Sequence, residues 1–243
     1  MKLTSFLAAL ALSTTAAEPE IEWQISGDKP LVLEGWGSVR DPYGLARFAV
    51  KDQSLSVELA GGGADYGTGS QVAPVVLQEV EGDFEVSVAI QPGINPDGTY
   101  AHSNRVLWNA AGLLVEWNND NFARLELSVR QPIGKKEDNR VWAQRVVNKN
   151  WKWDEPSIKG ANAKRPLFLR IQRTGSLFKW AHSFDRETWT ELEPFGASGW
   201  PAKLKIGVIF VNLTTKVEKA TVSDLKITRI LADPPISPEK IRN

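Results

Sequence analysis

Apolar and polar residues alternate with a period of two along most of the chain. Within 83–91, Phe84, Val86, Val88 and Ile90 alternate with Glu85, Ser87 and Ala89. Within 122–130, Ala123, Leu125, Leu127 and Val129 alternate with Arg124, Glu126, Ser128 and Arg130. Leu167, Leu169 and Ile171 form a third row, and Leu204, Ile206, Val208 and Phe210 a fourth, with Ile209 and Val211 joining the opposite side. This spacing predicts strands with one buried face. Further strands are expected at 54–59, 72–80, 112–117, 140–147, 176–184 and 221–230. Turn signals separate them: Gly61-Gly62-Gly63, Asn95-Pro96-Asp97-Gly98, Asn118-Asn119-Asp120-Asn121, Gln131-Pro132-Ile133-Gly134 and Thr174-Gly175. After residue 17 no segment sustains an i, i+3, i+4 apolar pattern. The expected fold is all-β: an antiparallel two-sheet β-sandwich or jelly roll in one domain, residues 18–231.

The two ends read differently. Met1-Lys2 gives a short positive start, residues 3–12 an apolar run, and Ser13 to Ala17 small residues before Glu18-Pro19. That order predicts a signal peptide over 1–17, and hence a secreted or periplasmic protein. The run is too short to span a bilayer, so no membrane insertion is expected. Residues 232–243 carry three prolines and no periodicity, and read as a tail.

Composition narrows the function. The remaining chain of about 226 residues is long enough to bury a core without staples, in keeping with zero cysteines. That count removes thiol chemistry and cysteine-held metal. The 29 basic and 29 acidic residues give no field to steer the chain to a nucleic acid. Tryptophan is over-represented, with 10 against three tyrosines.

Several blocks, in order, carry a family resemblance: Gly82-Asp83-Phe84-Glu85-Val86, residues 111–117, residues 120–125, residues 169–175, residues 183–189, Gly207-Val208 and residues 220–225. Together they resemble the DUF1349 group of concanavalin A-like lectin/glucanase domains over residues 36–230. The family form of the fifth block is a Ser-x-Asp-Gly-x-x-Trp hairpin; Arg186 stands here at the glycine position. The resemblance implies a jelly-roll sandwich with a concave face. It implies no particular activity, since related sandwiches include lectins, glucanases and modules appended to glycosidases. Gly112 is expected to admit a close backbone neighbour, and Trp189 to fold back over the core.

Catalytic chemistry finds little support. Glycosidases place two carboxylates across a bond, and sandwich glucanases use a Glu-x-Asp-x-x-Glu-like run. Glu116, Asp120 and Glu126 are the nearest match, but position 118 is Asn and 118–121 reads as a turn. His102 and His182 lack zinc-ligand spacing, and no phosphate or dinucleotide fingerprint occurs. No cofactor and no metal are expected; the oxygens of residues 118–121 read as turn formers before calcium ligands. Asn212-Leu213-Thr214 matches a glycosylation sequon at a strand end.

The tryptophans are the better signal. An indole face stacks on the C–H face of a sugar ring while amides and carboxylates bond its hydroxyls. Trp142, Trp151 and Trp153 surround the loop expected at 148–165, and Trp108 and Trp117 border the turn holding Asn118 and Asp120. Trp36, Trp180 and Trp189 are assigned to packing, and residues 61–69 to a flexible connection. The reading is a non-catalytic carbohydrate-interacting module whose partner is a glycan or glycosylated surface. The alternatives are a glycan hydrolase or lyase, and a structural envelope protein.

Overall fold

The computed structural model describes residues 22–23, 31–101, 106–132, 136, 138–158 and 165–230. The expected leader at 1–17, the tail at 232–243 and His102 lie outside the described residues. The described residues hold nineteen strands, numbered here in chain order, and no helix.

One sheet runs in the order β1 (Glu22–Trp23), β4 (Ala46–Lys51), β5 (Ser54–Leu59), β19 (Glu218–Ile230), β9 (Asp83–Ile90), β14 (Leu167–Thr174), β15 (Leu177–Ser183) and β16 (Thr190–Glu191), with β17 (Phe195–Gly196) also paired to β15. The other runs β13 (Asn150–Asp154), β12 (Asp138–Val147), β11 (Asn121–Pro132), β10 (Val106–Asn118), β18 (Lys203–Asn212), β8 (Val75–Glu81), β3 (Gly37–Arg40) and β2 (Val32–Leu33). A small hairpin pairs β6 (Tyr66–Gly67) with β7 (Ser70–Gln71). The two large sheets pack as a β-sandwich.

The alternating rows supply the core between them. Phe84, Val86, Val88 and Ile90 of β9 belong to one buried cluster with Leu167, Leu169 and Ile171 of β14. Facing them in the same cluster are Ala123, Leu125, Leu127 and Val129 of β11 and Leu204, Ile206, Val208 and Phe210 of β18. Each fully buried Leu, Val or Phe contributes roughly 1.5–3 kcal/mol over an exposed one. Two glycines let the inner strands meet. A Cβ on Gly112 would stand 2.1 Å from the Leu125 carbonyl oxygen, and one on Gly207 would stand 2.0 Å from that of Val76.

The expectation of one buried face fails for the central strands of the eight-stranded sheet. Ala110 and Leu114 of β10, Phe122 of β11 and Ile209 and Val211 of β18 form a second buried cluster on the outer face. Residues 61–73 cover it. They are a packed element and not the loose connection expected: Ala64 bridges to Asn212, and Tyr66 is fully buried with its ring edge-on to Phe122 at 5.0 Å. A Cβ on Gly61 would lie 2.2 Å from the Thr215 backbone, so only glycine lets the segment come this close.

The sequon is internal. Asn212 is fully buried, and its amide donates to the carbonyls of Leu59, Ala60 and Lys216. It has no exposed nitrogen to carry a sugar.

Candidate functional site

The outer face of the eight-stranded sheet gathers four of the expected site tryptophans. The gathering begins at a tight turn. Val147 pairs with Asn150, and the two residues between them, Asn148 and Lys149, have φ of 51° and 67°. Two left-handed residues in a two-residue loop match the twist of a hairpin. The expected loop at 148–165 therefore starts as strand β13, and 159–164 lie outside the described residues. The turn fixes register: Trp151 opposes Val146 and Trp153 opposes Gln144. Since Trp142 is two residues from Gln144, all three indoles share one face.

The rings then stack. Trp151 and Trp153 lie 4.4 Å apart at 17°, and Trp153 and Trp142 lie 6.2 Å apart at 14°. Trp108, reaching in from β10, tilts 50° against Trp142 at 5.0 Å. Stacking holds each ring in place with few rotamers to lose. At the edge of the sheet Trp151 and Trp153 remain 52% and 46% exposed. Beside them opens a cleft of about 340 Å³ lined by Tyr100, Val106, Trp108, Trp142 and Trp153, with Arg130 and Glu155 at its polar side. Arg130 holds Glu155 at 2.5 Å, and Arg140 lies 3.4 Å from the same carboxylate.

Beneath the indoles sits a charged row. Arg124 lies over the rings of Trp108 and Trp142 at 5.6 and 6.0 Å. Its Nε donates to Gln144 at 2.6 Å, and its Nη1 reaches Asp65 at 3.2 Å and Glu126 at 3.6 Å. Glu126 opposes Trp142 on one side and Gly112 on the other. It is fully buried, and neither carboxylate oxygen has a hydrogen-bond partner among the described residues. Burial pushes its pKa up to about 7 against the pull of Arg124, with Asp65 adding to the rise. The indole N–H of Trp108 and the hydroxyl of Ser128 are likewise buried without partners.

The other three expected residues lie elsewhere. Trp117, Asn118 and Asp120 sit at the turn between β10 and β11. Trp108 pairs with Arg130 at the far end of that hairpin, so it does not border the turn. Ten residues of extended chain put the two ends about 30 Å apart. The turn's polar atoms hold the turn: Asn118 Oδ1 accepts from the Asp120 amide and from Asn121 Nδ2. Asn121 Oδ1 accepts from the Asn148 amide and Trp200 Nε1. The carboxylate run also comes apart. Glu116 is bound by Arg40 through both oxygens, and it lies four strand residues, about 13 Å, along β10 from Gly112, the residue opposite Glu126. That backbone offset exceeds the spacing of a glycosidase pair's carboxyl groups, and the Arg40 clamp on Glu116 ties up both of its oxygens.

Trp189 departs from its assignment too. It is half-buried on the outside of the nine-stranded sheet, against Arg170 at 4.2 Å, and does not fold back over the core. Trp36 and Trp180 are core residues as expected. Arg124, Arg130 and Gln144 were missing from the expected site. The signal for the first two was present: Arg-x-Glu-x-Ser-x-Arg opposite a wholly apolar row is more charge than an ordinary solvated face needs.

No family model and no curated protein matches the chain, so the DUF1349 assignment stands without a match. Solved structures do match, in fold. A protein of unknown function from Saccharomyces cerevisiae is 13% identical with a TM-score of 0.62, covering 81% of this chain and 98% of that one. GH43B of a Bacteroides ovatus xyloglucan PUL is 12% identical with a TM-score of 0.52, covering 90% of this chain. This chain spans only 41% of that protein's length. An alginate lyase from Klebsiella pneumoniae is 12% identical with a TM-score of 0.51, covering 75% and 84%.

Proposed function

We propose that the chain is a carbohydrate-binding sandwich of an exported protein, and that it seats a glycan in the cleft lined by Trp108, Trp142 and Trp153. The stacked indoles carry this reading. Four aromatic rings running inward from an exposed sheet edge, with an Arg–Glu pair beside them, match what a sugar needs: C–H faces against π faces, and hydroxyls against charged donors and acceptors. The cleft is within the size range of small-ligand sites. The names of two fold neighbours, with xyloglucan in one and alginate in the other, fit a polysaccharide partner. An array of plant and algal glycans, probed with the wild type and with Trp153→Ala, Trp142→Ala and Trp117→Ala, tests it. Binding should fall at least tenfold in the first two and hold in the third. Equal binding in all four proteins overturns the cleft.

One observation favours a second reading, in which the chain acts on the glycan. Glu126 is a carboxyl able to carry a proton near neutral pH directly beneath the indoles. Release of reducing ends or unsaturated products from alginate or xyloglucan, abolished in Glu126→Gln, would support it. Absence of product from every polysaccharide that binds would refute it.

A further inference from the structure

The opposite face of the sandwich holds a larger cavity, about 630 Å³, on the outer surface of the nine-stranded sheet. Register builds it. Ser87 of β9 lies between Arg170 of β14 and Lys226 of β19. One short side chain between two long ones makes a trough. Phe168 and Trp189 stand on the Arg170 side. Arg170 stacks on the Trp189 ring and donates to Glu191 at 2.9 Å. The Trp189 N–H is tied to the Arg186 carbonyl at 3.0 Å, which fixes the indole as a wall.

A strap crosses the trough. Arg186, in the hairpin after β15, and Asp224, at the bulge of β19, form an ion pair across the intervening strands, and Arg186 stacks on Phe168 at 4.3 Å. Both residues hold left-handed backbone, with φ of 67° and 56°. Glycine would adopt either conformation freely, but glycine cannot make the strap.

The charges select among ligands. Arg170 already holds Glu191 and, at 4.0 Å, Glu85, which also lines the trough, and Arg186 holds Asp224. Lys226 lines the trough, is exposed, and has no ion-pair partner among the described residues. A neutral ligand would leave that ammonium unused, and a second charge on the same ring would have to displace Asp224 or Glu191. A single carboxylate gains a charge-assisted contact without displacing anything.

We propose that this trough is a second binding site, separate from the indole cleft, for a saccharide with one carboxylate per ring: the carboxylate on Lys226, the ring against Trp189. The test is calorimetric titration of the full chain with trigalacturonic acid, and with cellotriose as the uncharged control. Trigalacturonic acid should bind, and cellotriose should not displace it. Affinity should fall about tenfold in Lys226→Met, which touches no core, and further in Trp189→Ala. It should hold in Trp153→Ala on the other sheet, whatever becomes of the indole cleft. Arg186→Gly should weaken binding while the Tm stays level or rises, since glycine relieves the backbone. Absence of trigalacturonate binding, equal affinity in wild type and Lys226→Met, or a loss confined to Trp153→Ala would each overturn the proposal.

Discussion

Replacing Glu126 by glutamine should make stability less dependent on pH. The carboxyl is fully buried beneath Trp108 and Trp142, and its pKa is carried from 4.5 to about 7 by the loss of water, Arg124 opposing and Asp65 adding. A carboxyl raised by folding favours the folded state only while protonated. Below about pH 4.5 it is protonated in folded and unfolded chains alike, and it costs nothing. Between pH 4.5 and 7 the unfolded chain ionises first, and the folded state loses ground. Above 7 the deficit is constant. Carrying the group from 4.5 to about 7 corresponds to about 3 kcal/mol. In a domain of this size that is roughly 6–12 °C of Tm. Glutamine keeps the shape and cannot ionise, while Arg124 retains Asp65 and Gln144. Thermal unfolding of both proteins from pH 4 to 8 isolates the effect, because titrations not coupled to Glu126 cancel in the difference. The wild type should lose about 3 kcal/mol relative to Glu126→Gln as pH rises through this window. A difference independent of pH would mean that the carboxylate is ionised throughout, held by Arg124, and would refute the reasoning.

Four further outcomes are expected. Gly112→Ala drives a Cβ into the Leu125 carbonyl and to 2.5 Å from the Glu126 Cα, and should cost about 1–3 kcal/mol or more; an unchanged Tm would contradict it. Asn212→Ala strips the amide donor from three carbonyl contacts, one fully buried and two part-buried, and should cost about 1–3 kcal/mol. The wild type made in a glycosylating eukaryotic host should show no added mass at that sequon. Lys149→Gly removes a side chain from a left-handed position at an exposed turn and should stabilise by about 1 kcal/mol, leaving glycan binding intact; a loss of binding would show that the turn does more than set register.

The alternation of β9, β11, β14 and β18 made an all-β sandwich legible, because an apolar face on strand after strand, with no helical pattern to cover it, has to pack against another sheet. It could not show that Ile209 and Val211 lie beneath a separate hairpin. Residues 61–73 are rich in glycine and read locally as a loose connection, and only their approach to Thr215 and Asn212 reveals a packed element. Strand β13 was hidden for a different reason. Asn148 and Lys149 are not an Asn-Gly pair, and the alternation in β13 is only two indoles long, Trp151 and Trp153, in a strand whose five residues are all exposed. The indoles of Trp142, Trp151 and Trp153 were legible as candidates by residue type. Trp108 was placed at the wrong end of its hairpin, since the length of β10 was underestimated, and Trp117 was grouped with the others by nearness in sequence alone. Trp189 looked like packing because its neighbours in space, Arg170 and Arg186, come from separate strands and turns.

Side-chain indole NMR resonances, followed during titration with oligosaccharides of alginate and xyloglucan, address the stacked-indole cleft most directly. Those of Trp142 and Trp153 should shift together with a single saturation curve, while Trp36 and Trp180 stay fixed in the core. A full set of unmoved indole signals with every glycan tested would contradict the account.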